Sequence, residues 1–136
     1  MKLPADLHVS VADPDPTLYQ RMLPSFTAAG ARLRHFGTGG DCLRTALLDG
    51  TPCSFVVASD LDDMSGLELL GELRSRRRLA PAVLIVVQGD VLSAVHAMRG
   101  GAVDVIERPV VMSRLLHALV RHTQPQRPAG IIGCGA

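Results

Sequence analysis

The sequence predicts a doubly wound α/β domain, and three observations carry that prediction. Short apolar runs alternate with helix-like amphipathic stretches five times along the chain. The connections between them are short. The third run, Ser54 to Ala58, is apolar at consecutive positions, as a strand buried on both faces requires. A repeated β-α pattern of this kind builds a parallel sheet with helices on both faces, joined by right-handed crossovers.

The first run is Leu7 to Ala12, and the stretch after it sets Leu18, Met22, Phe26 and Ala29 on one helical face. Pro24 falls inside that stretch and is expected to kink or shorten it, and Gly30 ends it. The second run, Ala31 to Phe36, alternates Arg32 and Arg34 with apolar neighbours, the pattern of an edge strand with one wet side. Thr38 to Asp41 has the spacing of a capping box, and the helix behind it offers Leu43, Ala46 and Leu47 to the core. The third run leads into an acidic loop. Ser65 and Glu68 then form a second capping box, opening a helix with Leu69, Leu70 and Leu73 inward. The fourth run is Ala82 to Val87. Asp90 can cap the helix after it, in which Val91, Ala94, Val95 and Met98 share one face before Gly100-Gly101. Val103 to Ile106 is the fifth strand, and Arg108-Pro109 turns the chain into a last helix with Met112, Leu115, Leu116 and Leu119 inward.

Size and composition fit one domain. The 136 residues are 47% hydrophobic and 20% charged, which argues against disorder. Aromatics are only 3%, so aliphatic residues and Met must fill the core. A formal charge of +1 gives no strong pull toward nucleic acid. Cys42, Cys53 and Cys134 have no CxxC spacing and are odd in number, so they read as idle thiols in a reducing compartment. Residues 1–6 read as an N-terminal extension without an apolar signal region, 7–123 as the domain, and 124–136 as a Pro/Gly-rich flexible tail. No apolar run approaches the roughly 20 residues that span a bilayer. A cytoplasmic protein is expected.

Ligands on such sheets sit at the carboxyl ends of the strands, which directs attention to the residues after Ala12, Ala58, Val87 and Ile106. There the chain resembles receiver domains of two-component response regulators over roughly residues 7 to 122. The resemblance is carried by Met64-Ser65-Gly66-Leu67-Glu68-Leu69-Leu70, Gly89-Asp90-Val91, Ala94-Val95, Ala97-Met98, Gly101-Ala102-Val103-Asp104 and Glu107-Arg108-Pro109. It needs no insertion and is nearest in pattern to receivers of the nitrogen-fixation and LuxR-type regulators. That subgroup usually carries a helix-turn-helix output domain, for which this chain is too short. The resemblance implies the flavodoxin-like (βα)5 strand order 2-1-3-4-5, which β-α alternation alone does not fix.

The resemblance also implies a phosphorylation pocket, and here that pocket departs from the family at several positions. A receiver holds Mg²⁺ on an acid pair after strand one and takes the phosphoryl group on an Asp after strand three. A hydroxyl after strand four and a Lys after strand five contact the phosphate. Asp13 falls on the first acid and Pro14 on the second. The phosphoacceptor position holds Ala58, the hydroxyl position Val86, the Lys position Arg108 and the aromatic position of strand five Val105. A methyl group neither attacks phosphorus nor binds a metal. The pocket therefore reads as degenerate, with no catalytic residue and no cofactor, and a direct Asp13–Arg108 pair is expected in it.

Asp60 is the alternative phosphoacceptor. It lies two residues beyond Ala58, on the same strand parity, and with Asp13 it would be the weak alternative metal site, Mg²⁺ being needed only in that case. Otherwise Asp60, Asp62 and Asp63 form a solvated acidic loop near a helix N-terminus. Arg74, Arg76, Arg77 and Arg78 read as a solvated helix end, and Gly130 to Ala136 as tail rather than a dinucleotide fingerprint. His96, Arg99, Arg114, His117 and Arg121 line the outer surface of the last two helices, a surface that in receivers meets partners. The expected function is phosphorylation-independent binding of a protein partner, or self-association, through that face, with no enzymatic turnover and no direct contact with nucleic acid or membrane. The alternatives are a working single-domain regulator phosphorylated on Asp60, or the receiver half of a transcription factor.

Overall fold

The computed structural model describes residues 7–49, 53–76, 81–99 and 104–123; within the helices, the side chains of Val91 and of 121–123 lie outside the description. Five strands and five helices alternate: β1 (His8–Ala12), α1 (Thr17–Ala28), β2 (Arg32–Phe36), α2 (Gly39–Leu48), β3 (Ser54–Ala58), α3 (Gly66–Ser75), β4 (Ala82–Val86), α4 (Val91–Arg99), β5 (Asp104–Glu107) and α5 (Met112–Thr123). The strands form one parallel sheet in the order β2-β1-β3-β4-β5. This is the flavodoxin-like order, with β2 at an edge as its alternating arginines require.

Side-chain alternation along the strands divides the core in two. Val9, Val11, Val56, Val83, Ile85 and Ile106 face Leu18, Met22 and Phe26 of α1 and Leu115, Ala118 and Leu119 of α5. Phe55, Val57, Leu84 and Val86 face Cys42 of α2, Leu69, Leu70 and Leu73 of α3, and Ala97 of α4. β3 and β4 are buried at every position, as central strands covered on both faces must be.

Several local expectations change. Pro24 does not shorten α1, which runs on to Ala28. Its ring is exposed, and the deeply buried Met22 and Phe26 hold the helix on either side of the missing backbone donor. Gly30 then turns the chain at φ +98°. In α2 the buried residues are Gly39 and Cys42, whereas Leu43, Ala46 and Leu47 are only partly covered. In α4 the buried residue is Ala97, whereas Val95 and Met98 face outward with Leu92. Apolar residues surround that helix on most sides, so periodicity did not single out its core face.

The capping expectations fare better. Ser65 and Glu68 make both bonds of a capping box at 3.0 Å each. Thr38 accepts from the Asp41 N–H, but Asp41 pairs with Arg44 instead of returning the second bond. Asp90 Oδ1 accepts from the Ser93 N–H at 3.0 Å. β5 covers Asp104–Glu107; Val103 lies outside the described residues, as do Gly100-Gly101, Arg77, Arg78 and both expected extensions.

Candidate functional site

The carboxyl ends of β1, β3, β4 and β5 converge, and Asp13 lies at the centre of what they bring together. It is the first residue beyond β1 and is 2% exposed. Its N–H donates to the Phe36 carbonyl at 3.0 Å. Its own carbonyl accepts from His35 Nε2 at 2.8 Å, and the His35 ring stacks on Tyr19. The edge strand thus fixes the backbone of the β1–α1 loop. The carboxylate is engaged on both oxygens: Oδ1 accepts from the Asp15 N–H at 3.0 Å, and Oδ2 accepts from Arg108 at 3.1 Å. The expected Asp13–Arg108 contact is therefore made.

Pro14 follows, with no carboxylate to offer. Asp15 turns outward and accepts from both the hydroxyl and the N–H of Thr17, at 2.7 and 2.9 Å. The hydroxyl bond first, then the backbone bond, holds its carboxyl below the ordinary carboxylate value.

Ala58 closes β3 and is buried. The loop beyond it folds tightly, with Ser59 N–H on the Ile85 carbonyl at 2.9 Å and Gly66 N–H on the Ser59 carbonyl at 3.0 Å. A Cβ on Gly66 would collide with the Ala58 carbonyl, so the close return of the chain needs glycine there. Val86 closes β4 with its side chain buried, and its carbonyl accepts from the Arg108 N–H at 2.8 Å. This bond, at the end of β5, sets the root from which the Arg108 side chain reaches Asp13. Beside it, Glu107 accepts from the N–H of Gly89, tying β5 to the β4–α4 loop at 2.6 Å. Val105 is half-buried against the α2–α4 side of the core.

The three acids of the β3–α3 loop have separate fates. Asp60, 65% exposed, lies 3.9 Å from the same Arg108 nitrogen. Asp62 is exposed. Asp63 accepts from the N–H groups of Gly39 and Gly40 at 2.9 and 2.8 Å, and those two bonds hold its carboxyl below the ordinary range. No local pattern reveals that Asp63 anchors the first turn of α2, because its partners lie more than twenty residues away.

Mg²⁺ seeks several hard oxygens in octahedral geometry. Both oxygens of Asp13 are already bonded, one of them to a cation, and the neighbouring strand ends present Pro14, Ala58 and Val86. Among the described residues no three His, Cys, Asp or Glu side chains converge as metal ligands.

On the outer surface, His96, Arg99, Arg114 and His117 are exposed; the Arg121 side chain lies outside the described residues. Sequence reasoning missed the exposed apolar residues: Leu92, Val95 and Met98 of α4, with Val87 and Val111 close to the helix starts, are all exposed. No helix among the described residues is long and apolar enough to cross a membrane.

Strand order, helix placement and the convergence of residues at the strand ends define a receiver of the flavodoxin-like kind. No family model matches the chain. Nodulation protein W of Bradyrhizobium diazoefficiens is 31% identical over 119 residues, covering 88% of this chain and 52% of the relative. The transcriptional regulatory protein FixJ of the same organism is 30% identical over 125 residues, covering 87% of this chain and 58% of the relative. The crystal structure of FixJ-N superposes with a TM-score of 0.78 at 28% identity, over 88% of this chain and 94% of that one. The chain is a response-regulator receiver domain, as its sequence resemblance implied. It spans about half the length of the curated relatives it matches.

Proposed function

We propose that this receiver domain signals by binding a protein partner without accepting a phosphoryl group. The observation that carries the reading is Ala58, buried at the end of the middle strand where the family places its nucleophile. Phosphoryl transfer to a carboxylate needs the attacking oxygen, a cation to neutralise gathering charge, and donors to the product. Ala58 supplies no oxygen, Val86 no hydroxyl, and the Arg108 guanidinium is committed to Asp13. The domain has no turnover and no resident cofactor in this reading, and it works in the cytoplasm. Its partner, or a second copy, meets the face of α4 and α5 that presents Leu92, Val95, His96, Met98, Arg99, Arg114 and His117. Exposed positions that mix large apolar side chains with cations have the composition of a protein interface.

The test is intact-mass spectrometry after incubation with Mg²⁺ and a small phosphodonor such as acetyl phosphate. The expected result is an unchanged mass; an acid-labile adduct of one phosphoryl group refutes the reading.

One observation favours a second reading, a working regulator phosphorylated on Asp60. That carboxylate is exposed and within 3.9 Å of Arg108, which would then contact its phosphate. In that case Asp60→Ala abolishes labelling and Asp13→Ala weakens it. The half-length coverage of FixJ also leaves a place for this domain as the receiver part of a transcription factor.

A further inference from the structure

The contacts around Arg108 carry one inference beyond this reading, and it rests on the same assignment of the pocket. We infer that the Arg108 guanidinium is a tethered cation, standing where a divalent ion would stand and joining the loops such an ion would join. One terminal nitrogen lies 3.1 Å from Asp13 Oδ2 and 3.9 Å from Asp60 Oδ1. Asp13 belongs to the β1–α1 loop, Asp60 to the β3–α3 loop and Arg108 to the β5–α5 turn, so one charge bridges three segments. The side chain is rooted by the Arg108 N–H on the Val86 carbonyl, and Asp13 by its own N–H on the Phe36 carbonyl. The Asp15 N–H bonds the other Asp13 oxygen, so each oxygen of the carboxylate already has a donor.

The chemistry favours a guanidinium in this role. Asp13 is almost wholly buried, and a buried charge is costly unless it is paired and hydrogen-bonded. Arg stays protonated at every relevant pH and is more weakly hydrated than an ammonium, so it is the side chain suited to a permanent, partly buried pair. The domain would then hold its loops in one arrangement whatever the concentration of metal, with no exchangeable part.

Two experiments test this. In the natural chain, a Mg²⁺ titration followed by ¹⁵N–¹H spectra is expected to leave the Asp15 amide, which reads the Asp13 carboxylate directly, without a saturable shift. A saturable shift there overturns the inference. In Arg108→Ala, the unpaired Asp13 is expected to make thermal stability respond to Mg²⁺, rising by several degrees from EDTA to millimolar metal, while the natural chain stays level. Adding Asp13→Asn to that variant removes the response. An Arg108→Ala protein indifferent to Mg²⁺ also overturns the inference, and if the variant does not fold, the Asp15 amide of the natural chain decides. Failure here is distinct from failure of the docking reading. A natural chain that binds Mg²⁺ yet gains no phosphoryl mass loses only the tethered cation; one that gains mass while its Asp15 amide ignores Mg²⁺ loses only the docking reading.

Discussion

Asp63 is a residue whose work depends on its charge. Its carboxylate holds two N–H groups at the start of α2, Gly39 and Gly40, and they depress its pKa below the ordinary 3.8. A group with a lowered folded pKa contributes stability that is complete above its unfolded value and is lost as pH falls through the folded one. Asp63 is solvent-facing, so screening keeps the contribution small. Asp63→Asn is expected to flatten the acid limb of the stability curve below about pH 4, measured by urea unfolding at a series of pH values. Parallel curves for the two proteins would refute this. Residue by residue, the resemblance to receivers, and not composition or periodicity, directed attention to Asp13, Ala58, Val86 and Arg108 at the strand ends, and the expected contact between Asp13 and Arg108 is made. Asp63 was not legible, since no local pattern links it to a glycine pair a strand and a helix away.

Among the elements, α3 is the one whose start was written most plainly. Ser-x-x-Glu before an apolar run specifies both reciprocal bonds, and both are made. Ser65→Ala is expected to cost about 1 kcal/mol, seen as a lower urea midpoint at unchanged slope. No loss, or a changed slope, would contradict a purely local cap. The elements that misled were those with surplus apolar residues. α4 offered several faces, and the small Ala97 took the core while larger neighbours turned to solvent. α1 absorbed Pro24 because tertiary packing of Met22 and Phe26 outweighs the local preference to stop.

At the scale of the molecule, alternation of runs announced the layered α/β class, but the order of strands needed the family resemblance. A β-α repeat is compatible with more than one winding, and only the resemblance chose among them. The winding places α1 and α5 on one face of the sheet and α2, α3 and α4 on the other. Cys42 lies deep on the second face, and desolvation first, then the nearby Cys53, pushes its thiol up to about 12. The thiolate is the form that reacts, so an alkylating reagent can reach Cys42 only when α2 lifts from the sheet. Iodoacetamide labelling read by peptide mass is expected to be very slow without denaturant and to rise along the unfolding curve; rapid labelling of the native protein would contradict this. One inert sulfur thus gives the domain an internal clock, counting how often its second layer breathes.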